Sequence, residues 1–221
     1  MNVSVAEGYR LWSSTYDETP NPLVALESRL LAERLCGICG QRMLDAGSGT
    51  GRWMSWAQAR GASVLGIDLS PEMLRIATAK PGLAGLVVRA DIRAIPLPGQ
   101  SVDLAICSLT LGYLESVTSA IQELARVARR LIVSDLHPAA LEHGWTRSFR
   151  SEGRKIAVEH FAHSAAELEQ SARQAGLSRC WQIEAAFDEP ERELFRRAGK
   201  EDAWYSARKI PAVIIMAWEK P

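Results

Sequence analysis

Between residues 41 and 136, short apolar runs alternate with stretches whose apolar residues recur every three or four positions. The runs QRMLDAG, SVLGIDLS, LAGLVVRAD, SVDLAICSLT and LIVSDLHP read as five strands. LAGLVV and LIV lack in–out alternation, as expected of strands covered on both faces. Between them, TGRWMSWAQARG, SPEMLRIATAK and SVTSAIQELARVARR carry the helical period, with Ile121, Leu124, Ala125 and Ala128 on one face of the last. In the middle one Ser70 can cap, Pro71 takes the first position and Glu72 sits in the positive first turn. Strand and helix in strict alternation specify a parallel sheet with crossover helices.

The rhythm changes outside this block. NPLVALESRLLAERL predicts an amphipathic helix ahead of the first strand, preceded by the aromatic segment YRLWSSTYD. GWTRSFRSEGRKIAVEHF reads as a hairpin turning at Ser151-Glu152-Gly153, and SAAELEQSARQAG as a helix opened by a Ser164/Glu167 capping box and stopped at Gly176. LSRCWQIEAAF and IPAVIIMAWEK are two late strands with Pro211 at the start of the second, separated by the charged, solvated helix EPERELFRRAG. The pattern predicts one domain over 1–221, with residues 1–36 as an N-terminal helical cap and 138–163 as a lid-like insertion.

Composition narrows the function classes. Twenty-six basic residues balance 26 acidic ones in 221, so no global field draws the chain to nucleic acid or to an anionic membrane. The longest strongly apolar run, IPAVIIMAW, is too short to span a bilayer, and MNVSVAEGYRLW lacks the pattern of a signal peptide. The expectation is a cytoplasmic protein, monomer or homodimer, with no nucleic-acid or membrane partner. Cys36 and Cys39 form a C-x-x-C, but nothing nearby completes a four-ligand metal site. No metal is expected, and the two are read as small buried residues near a helix end.

The candidate chemistry centres on LDAGSGTGRW, residues 44–53, where glycines stand at 47, 49 and 51 after a strand. Glycine there lets backbone turn tightly or approach a ligand closely. A triphosphate-binding loop needs a lysine after its glycines, and here Arg52 and Trp53 follow. A dinucleotide fingerprint beginning at Gly47 needs its third glycine at position 52, which is arginine. Asp45 beside the turn is a poor neighbour for pyrophosphate and a good one for a cationic ligand. These residues point to a nucleoside carrying an amine or a sulfonium.

At this point the sequence resembles a family. Asp45-Ala-Gly47-Ser48-Gly49-Thr-Gly51 is similar to the first motif of class I S-adenosylmethionine-dependent methyltransferases, and GIDLSPEML looks like the second. RADIRAIPLPGQSVDLAICSLTLGYLE is similar to the third and fourth motifs of the small-molecule, type 11 branch. The resemblance covers residues 9 to 137 and becomes general beyond them. It departs from the family in lacking a Pro-Gly-Gly turn before the fifth strand. It implies a Rossmann-like, doubly wound α/β fold: a seven-stranded sheet, mostly parallel with an antiparallel last strand, helices on both faces. It also implies S-adenosylmethionine as cofactor and a small-molecule acceptor.

Carried onto this chain, Gly47, Ser48 and Gly49 form the turn against the methionine and ribose portions, with Asp45 near the amino-acid end. Asp68 would accept from both ribose hydroxyls, since a carboxylate offers several acceptor sites to a diol. Asp91 would accept from the adenine amino group, with Leu69, Met73 and Ile92 around the ring and Ser108 near the methionine moiety. Tyr16 in the N-terminal segment would close the site, contacting cofactor and acceptor. A hydroxyl acceptor needs a base, and all four histidines follow the fifth strand. His137, at the carboxyl end of that strand, is the candidate base or acceptor-orienting group. Trp145, Phe149 and Phe161 are candidates for an apolar lid lining. A cofactor-binding regulator without catalysis, and less readily a nicotinamide oxidoreductase, remain as alternatives.

Overall fold

The computed structural model describes residues 2–221. In chain order the elements are β1 (Asn2–Val3), α1 (Val5–Trp12), α2 (Pro22–Arg34), β2 (Arg42–Ala46), α3 (Arg52–Gln58), β3 (Ser63–Asp68), α4 (Pro71–Ala79), β4 (Val87–Arg89), β5 (Val102–Ser108), α5 (Thr118–Val127) and β6 (Ala128–Leu136). There follow α6 (Pro138–Glu142), β7 (Ser148–Ser151), β8 (Arg154–Val158), α7 (Ala165–Gln174), β9 (Ser178–Ala185), α8 (Glu189–Arg197), α9 (Glu201–Ala207) and β10 (Val213–Glu219).

Seven strands form one sheet in the order β4-β3-β2-β5-β6-β10-β9, all parallel except β10, which runs antiparallel to both its neighbours. The doubly wound fold that the sequence implied is the fold observed. Because β2 to β4 step one way and β5 and β6 the other, the order reverses between β2 and β5. Crevices for ligands open at such reversals, outside the carboxyl ends of the strands.

Strand alternation divides the core in two. Leu44, Ala105, Cys107, Ile214 and Met216 face α5 and α7, while Met43, Leu104, Ile106, Val213 and Ile215 face α2, α3 and α9. Both faces are apolar because both are covered, as LIV led one to expect; LAGLVV instead feeds the short edge strand β4, where Val88 is left exposed.

Several local signals fold as their chemistry dictates. Ser70 caps α4, Ser164 and Glu167 form the reciprocal capping box of α7, and Gly176 takes φ 77° after it. Others differ from expectation. The run Ala128-Arg129-Arg130 is strand rather than helix, because its backbone pairs with both β5 and β10. Cys36 and Cys39 are exposed, not buried, since the turn after α2 carries them away from the core. The charged helix α8 is not simply solvated: Glu191 is buried and holds Arg29 of α2 in a two-point ion pair at 2.9 and 3.0 Å. Helix α9 and strand β1 were not anticipated.

A separate three-stranded sheet, β1-β8-β7, contains the hairpin, and its turn falls where predicted. Phe149 and Ile156 of the hairpin form a small core with Val3 and Trp12, in which Phe149 stacks on Trp12 at 4.8 Å between centroids. The stack joins the N-terminal segment to the hairpin, and Phe149 is core rather than lid lining. Phe149→Ala is expected to cost about 3 kcal/mol, as for other buried aromatic truncations. Denaturant unfolding measures that loss, and faster amide exchange across residues 2–12 would locate it.

Candidate functional site: a cofactor cleft and an acceptor cavity

The glycine turn begins where β2 ends. The Gly47 and Ser48 N–H groups both donate to the Ile67 carbonyl of β3, at 2.8 and 2.9 Å, so the chain doubles back over the sheet edge. Gly47, Gly49 and Gly51 all have positive φ, at 75°, 53° and 79°. A Cβ on Gly47 would stand 2.3 Å from the Thr110 hydroxyl oxygen, whereas one on Gly49 would meet nothing within 4 Å. The first glycine is therefore required by packing. The second leaves an open cradle.

Asp68 ends β3 beside that cradle. Its carboxylate accepts from the Gly49 N–H and the Ser70 N–H, each at 2.8 Å. A carboxylate offers about four acceptor positions, so two remain for a vicinal diol. Burial pushes its pKa up, against the opposing pull of those backbone donors. Leu69 next to it is a large apolar side chain left 53% exposed, while Met73 and Ile92 are buried. A flat apolar ring over Leu69 would cover it. Asp91 sits at the end of β4, but both of its oxygens are engaged by Arg93, at 2.6 to 3.1 Å. An adenine amino group there would share an acceptor already in use.

Asp45 lies under the turn rather than in the cleft. It is 2% exposed, its carboxylate accepts from the Met54 backbone N–H, and burial pushes its pKa up to about 7. Ser48 is also buried, and its hydroxyl packs over Gly66, where a Cβ would be only 2.8 Å from it. Ser108 accepts from Arg52 at 3.0 Å and donates to Glu27 at 2.7 Å.

Arg52 and Glu27 are residues whose role sequence reasoning missed; Arg52 served there only to exclude other ligands. Glu27 of α2 is fully buried. Its Oε1 accepts from Trp53, Ser108 and Ser134, and its Oε2 lies 3.0 Å from the Arg52 guanidinium, an ion pair rather than an aligned hydrogen bond. Arg52 itself stays one-third exposed beside the glycine turn. A second link joins the cap to the turn: Asp17 accepts from the Thr50 hydroxyl at 2.6 Å and pairs with Lys80, just past the end of α4, at 2.7 Å.

Beyond the cleft opens a cavity of about 780 Å³. Its walls come from the N-terminal segment, from the 143–155 stretch and from the α8–α9 pair; Leu109 and Leu136, at the ends of β5 and β6, also line it. Tyr16 lines it too, edge-on to Trp12 at 4.9 Å, and burial raises its hydroxyl to about 12, so at neutral pH it is a donor and not a base. Trp145 lines it as anticipated, stacked on Phe187 at 5.4 Å; Phe161 does not.

The floor of the cavity is polar and buried. Arg147 pairs with Asp135, donates to the Leu109 carbonyl and lies over the Tyr113 ring at 4.5 Å, while Asp135 accepts from the Gly112 N–H. Leu109 holds a left-handed φ of 53°. The Trp12 Nε1 and Arg147 Nε are buried with no hydrogen-bond partner among the described residues, and both residues line the cavity.

The histidines lie elsewhere or are engaged. His137 caps α6, its Nδ1 accepting from the Ala139 N–H at 3.1 Å and its Nε2 lying 3.3 Å from Glu184, and it is not part of the cavity wall. His160 and His163 bond to the carbonyls of Val158 and Leu114, and His143, which does line the cavity, bonds to that of Ala139. Among the described residues no cluster of side chains could hold a metal, and no helix is long and apolar enough to cross a membrane.

The fold and the cleft together define a class: a doubly wound α/β domain with a glycine turn after its first sheet strand and an aspartate ending the next, both beside the point where the strand order reverses. Residues 44–133 match the family described as Methyltransferase domain, type 11. The chain carries a class I S-adenosylmethionine-dependent methyltransferase domain, and S-adenosylmethionine is the cofactor that domain takes. The chain is 31% identical over 194 residues to the biotin biosynthesis bifunctional protein BioHC of Cellvibrio japonicus, covering 86% of this chain and 37% of that protein. It is 32% identical over 130 residues to the malonyl-[acyl-carrier protein] O-methyltransferase of Serratia marcescens, covering 57% and 49%. It therefore spans half or less of the length of these relatives. A solved S-adenosylmethionine-dependent methyltransferase from Mesorhizobium loti shares the fold, with a TM-score of 0.68 at 23% identity over 88% of this chain and 97% of that one.

The residues present fit the cofactor: an open cradle at Gly49, spare acceptors on Asp68 and an exposed apolar Leu69. The raised pKa of Asp45 sets a pH dependence. Its folded value of about 7 lies above the ordinary 3.8, so the folded state holds the proton more tightly. The stability this confers is complete below pH 4 and is lost as pH rises through about 7. Each tenfold difference in proton affinity between folded and unfolded chain is worth about 1.4 kcal/mol. Asp45→Asn, which cannot ionise, should therefore exceed the natural chain in stability by roughly 4 kcal/mol at pH 8. Urea unfolding at pH 8 and pH 4 checks this, with the gain vanishing at the lower pH.

Proposed function

We propose that the protein transfers the methyl group of S-adenosylmethionine to a carboxylate oxygen of a small acyl acceptor, forming a methyl ester. The observation that carries this reading is the chemistry of the cavity. Lys155 and Lys200 line it, as does Arg147 with its charge held against the buried Asp135, together with aromatic and aliphatic side chains, and no aspartate or glutamate lines it among the described residues. Such a wall favours an anion with an apolar body. The two orphaned donors, Trp12 Nε1 and Arg147 Nε, are groups that an acceptor oxygen would satisfy.

Bound S-adenosylmethionine supplies a methyl group already activated on a sulfonium. An acceptor that arrives ionised needs no proton removed, which agrees with the absence of a disengaged histidine in the wall. His137 is then a helix cap. Arg52 would hold the methionine carboxylate, and Asp68 would take the ribose diol. The chain's remaining work is to hold the acceptor in line with the methyl group and to exclude water, and the aromatic cap over Tyr16 does both. The cofactor would supply the methyl group to the carboxylate oxygen, the carbon–sulfur electron pair staying on sulfur, so that the products would be S-adenosylhomocysteine and the ester.

The relatives support the acceptor class, since the Serratia protein is a malonyl-[acyl-carrier protein] O-methyltransferase. The test is labelled-methyl transfer to a malonyl thioester. The expected product carries label that mild alkali releases as methanol; label that survives alkali, or none transferred, overturns the reading. Asp68→Ala should weaken S-adenosylmethionine binding by about tenfold to a hundredfold, the loss of one or two charge-assisted hydrogen bonds, as measured by calorimetry.

A further inference from the structure

Arg52 stands where two parts of the chain meet. It is the first residue of α3, directly after Gly51 of the glycine turn, and its guanidinium lies 4.8 Å from the centre of the Trp53 ring. Helix α2 precedes the whole seven-stranded sheet, yet two consecutive residues of it, Glu27 and Ser28, reach this one side chain. The Ser28 hydroxyl accepts from Nη1 and itself donates to the Val24 carbonyl at 2.6 Å. Nη2 donates to the Ser108 hydroxyl at 3.0 Å and lies 3.0 Å from Glu27 Oε2. The two oxygens of Glu27 thus have separate partners. Oε1 takes three donors, from Trp53, Ser108 and Ser134, whereas Oε2 is buried with no hydrogen bond among the described residues and has the arginine's charge alone.

A guanidinium carries five N–H donors in a fixed plane. The contacts to α2 and β5 all fall on the two Nη nitrogens, and the Nε–H has no acceptor among the described residues. A third of the side chain remains exposed. An unrestrained arginine loses rotamer freedom when it grips a ligand, and one already fixed by its neighbours does not. Glu27 also offsets part of the cation's pull on an anion. Orientation outweighs that offset here, because the free Nε–H is not shared with Glu27. We propose that Glu27 and Ser28 are positioning residues for the cofactor: held from α2, Arg52 presents its free donors to the carboxylate of the methionine moiety, so the N-terminal cap sets how tightly that end is bound. The proposal rests on the reading of Arg52 given above and is independent of the acceptor.

The experiment is calorimetric titration of the full chain with S-adenosylmethionine and with its decarboxylated form, which keeps the adenosine, the sulfonium and the amine. The natural chain should bind the complete cofactor about tenfold tighter or more, the effect of one to two charge-assisted contacts. Arg52→Gln should reduce this advantage to within about twofold. Glu27→Gln keeps the size of the side chain and a carbonyl acceptor but removes the charge. It should cut the advantage about fivefold, while the decarboxylated compound stays within about twofold of its original affinity. Ser28→Ala should cut the advantage about twofold to threefold, the loss of one hydrogen bond. Adding Glu27→Gln to Arg52→Gln should cost nothing further, since both act on one interaction.

Thermal unfolding, measured alongside, reports any damage to the fold, and damage alone would weaken both ligands alike. Equal weakening of the two ligands in Glu27→Gln, tighter binding of the complete cofactor, or a loss that adds to that of Arg52→Gln overturns the proposal. Were Glu27→Gln not to fold, Ser28→Ala decides the matter, and an unchanged advantage there overturns it. Were the natural chain to show no advantage, or Arg52→Gln to keep it, the reading of Arg52 would fail and the proposal with it. The methyl-ester reading stands apart from every one of these outcomes, since no acceptor takes part in the titrations.

Discussion

A carboxylate with no access to water must find donors on every side or destabilise the fold, and Glu27 meets that requirement by drawing four elements together. From α2 it reaches Arg52 and Trp53 on α3, Ser108 on β5 and Ser134 on β6. Breaking such a buried pair leaves an uncompensated charge, at a cost of about 3 to 5 kcal/mol. The interaction therefore fixes the cap helix against the crevice where the sheet order reverses. It also fixes the orientation of Arg52, the residue that opens α3 after the glycine turn. Asp17 repeats the connection a short distance away, through Thr50 and Lys80. The glycine-turn cleft and the large cavity share a wall because these two carboxylates join the N-terminal segment to the turn.

The cleft was legible in the sequence to the extent that its chemistry is local. Glycines with positive φ, a strand-ending Asp68 and the Ser70 cap are short-range necessities, so they can be read from a few adjacent residues. The same locality explains the capping box at Ser164 and the hairpin turn at Glu152-Gly153. What could not be read depends on partners far along the chain. Glu27 lies 81 residues from Ser108 and 107 from Ser134, and nothing about its helical period distinguishes it from a solvated glutamate. Arg29 and Glu191 meet across 162 residues for the same reason.

The histidines show how far position alone can be read. Their clustering after the fifth strand suggested a base, and position alone did place His137 at a strand end. Position did not reveal that a residue preceding Pro138 would be drawn into capping, its ring turned to the Ala139 N–H and to Glu184. The C-x-x-C failed similarly: cysteine's usual burial gave way to a turn that leaves Cys36 and Cys39 in solvent. In each case residue type was a weaker guide than the geometry of the nearest helix end.

The left-handed backbone of Leu109 has a consequence for how Arg147 is understood. A branched residue at φ 53° carries strain of about 1 to 3 kcal/mol, and it persists because its N–H is held by the Ser134 carbonyl and its own carbonyl by Arg147. The guanidinium is thus a restraint on main-chain shape as well as a charge. Its removal would release a kinked segment at the boundary between the two ligand spaces, since Thr110, the next residue, packs directly on Gly47. A loss felt in the acceptor cavity would then reach the nucleoside side through rigid contact between neighbouring turns, with no change in field required.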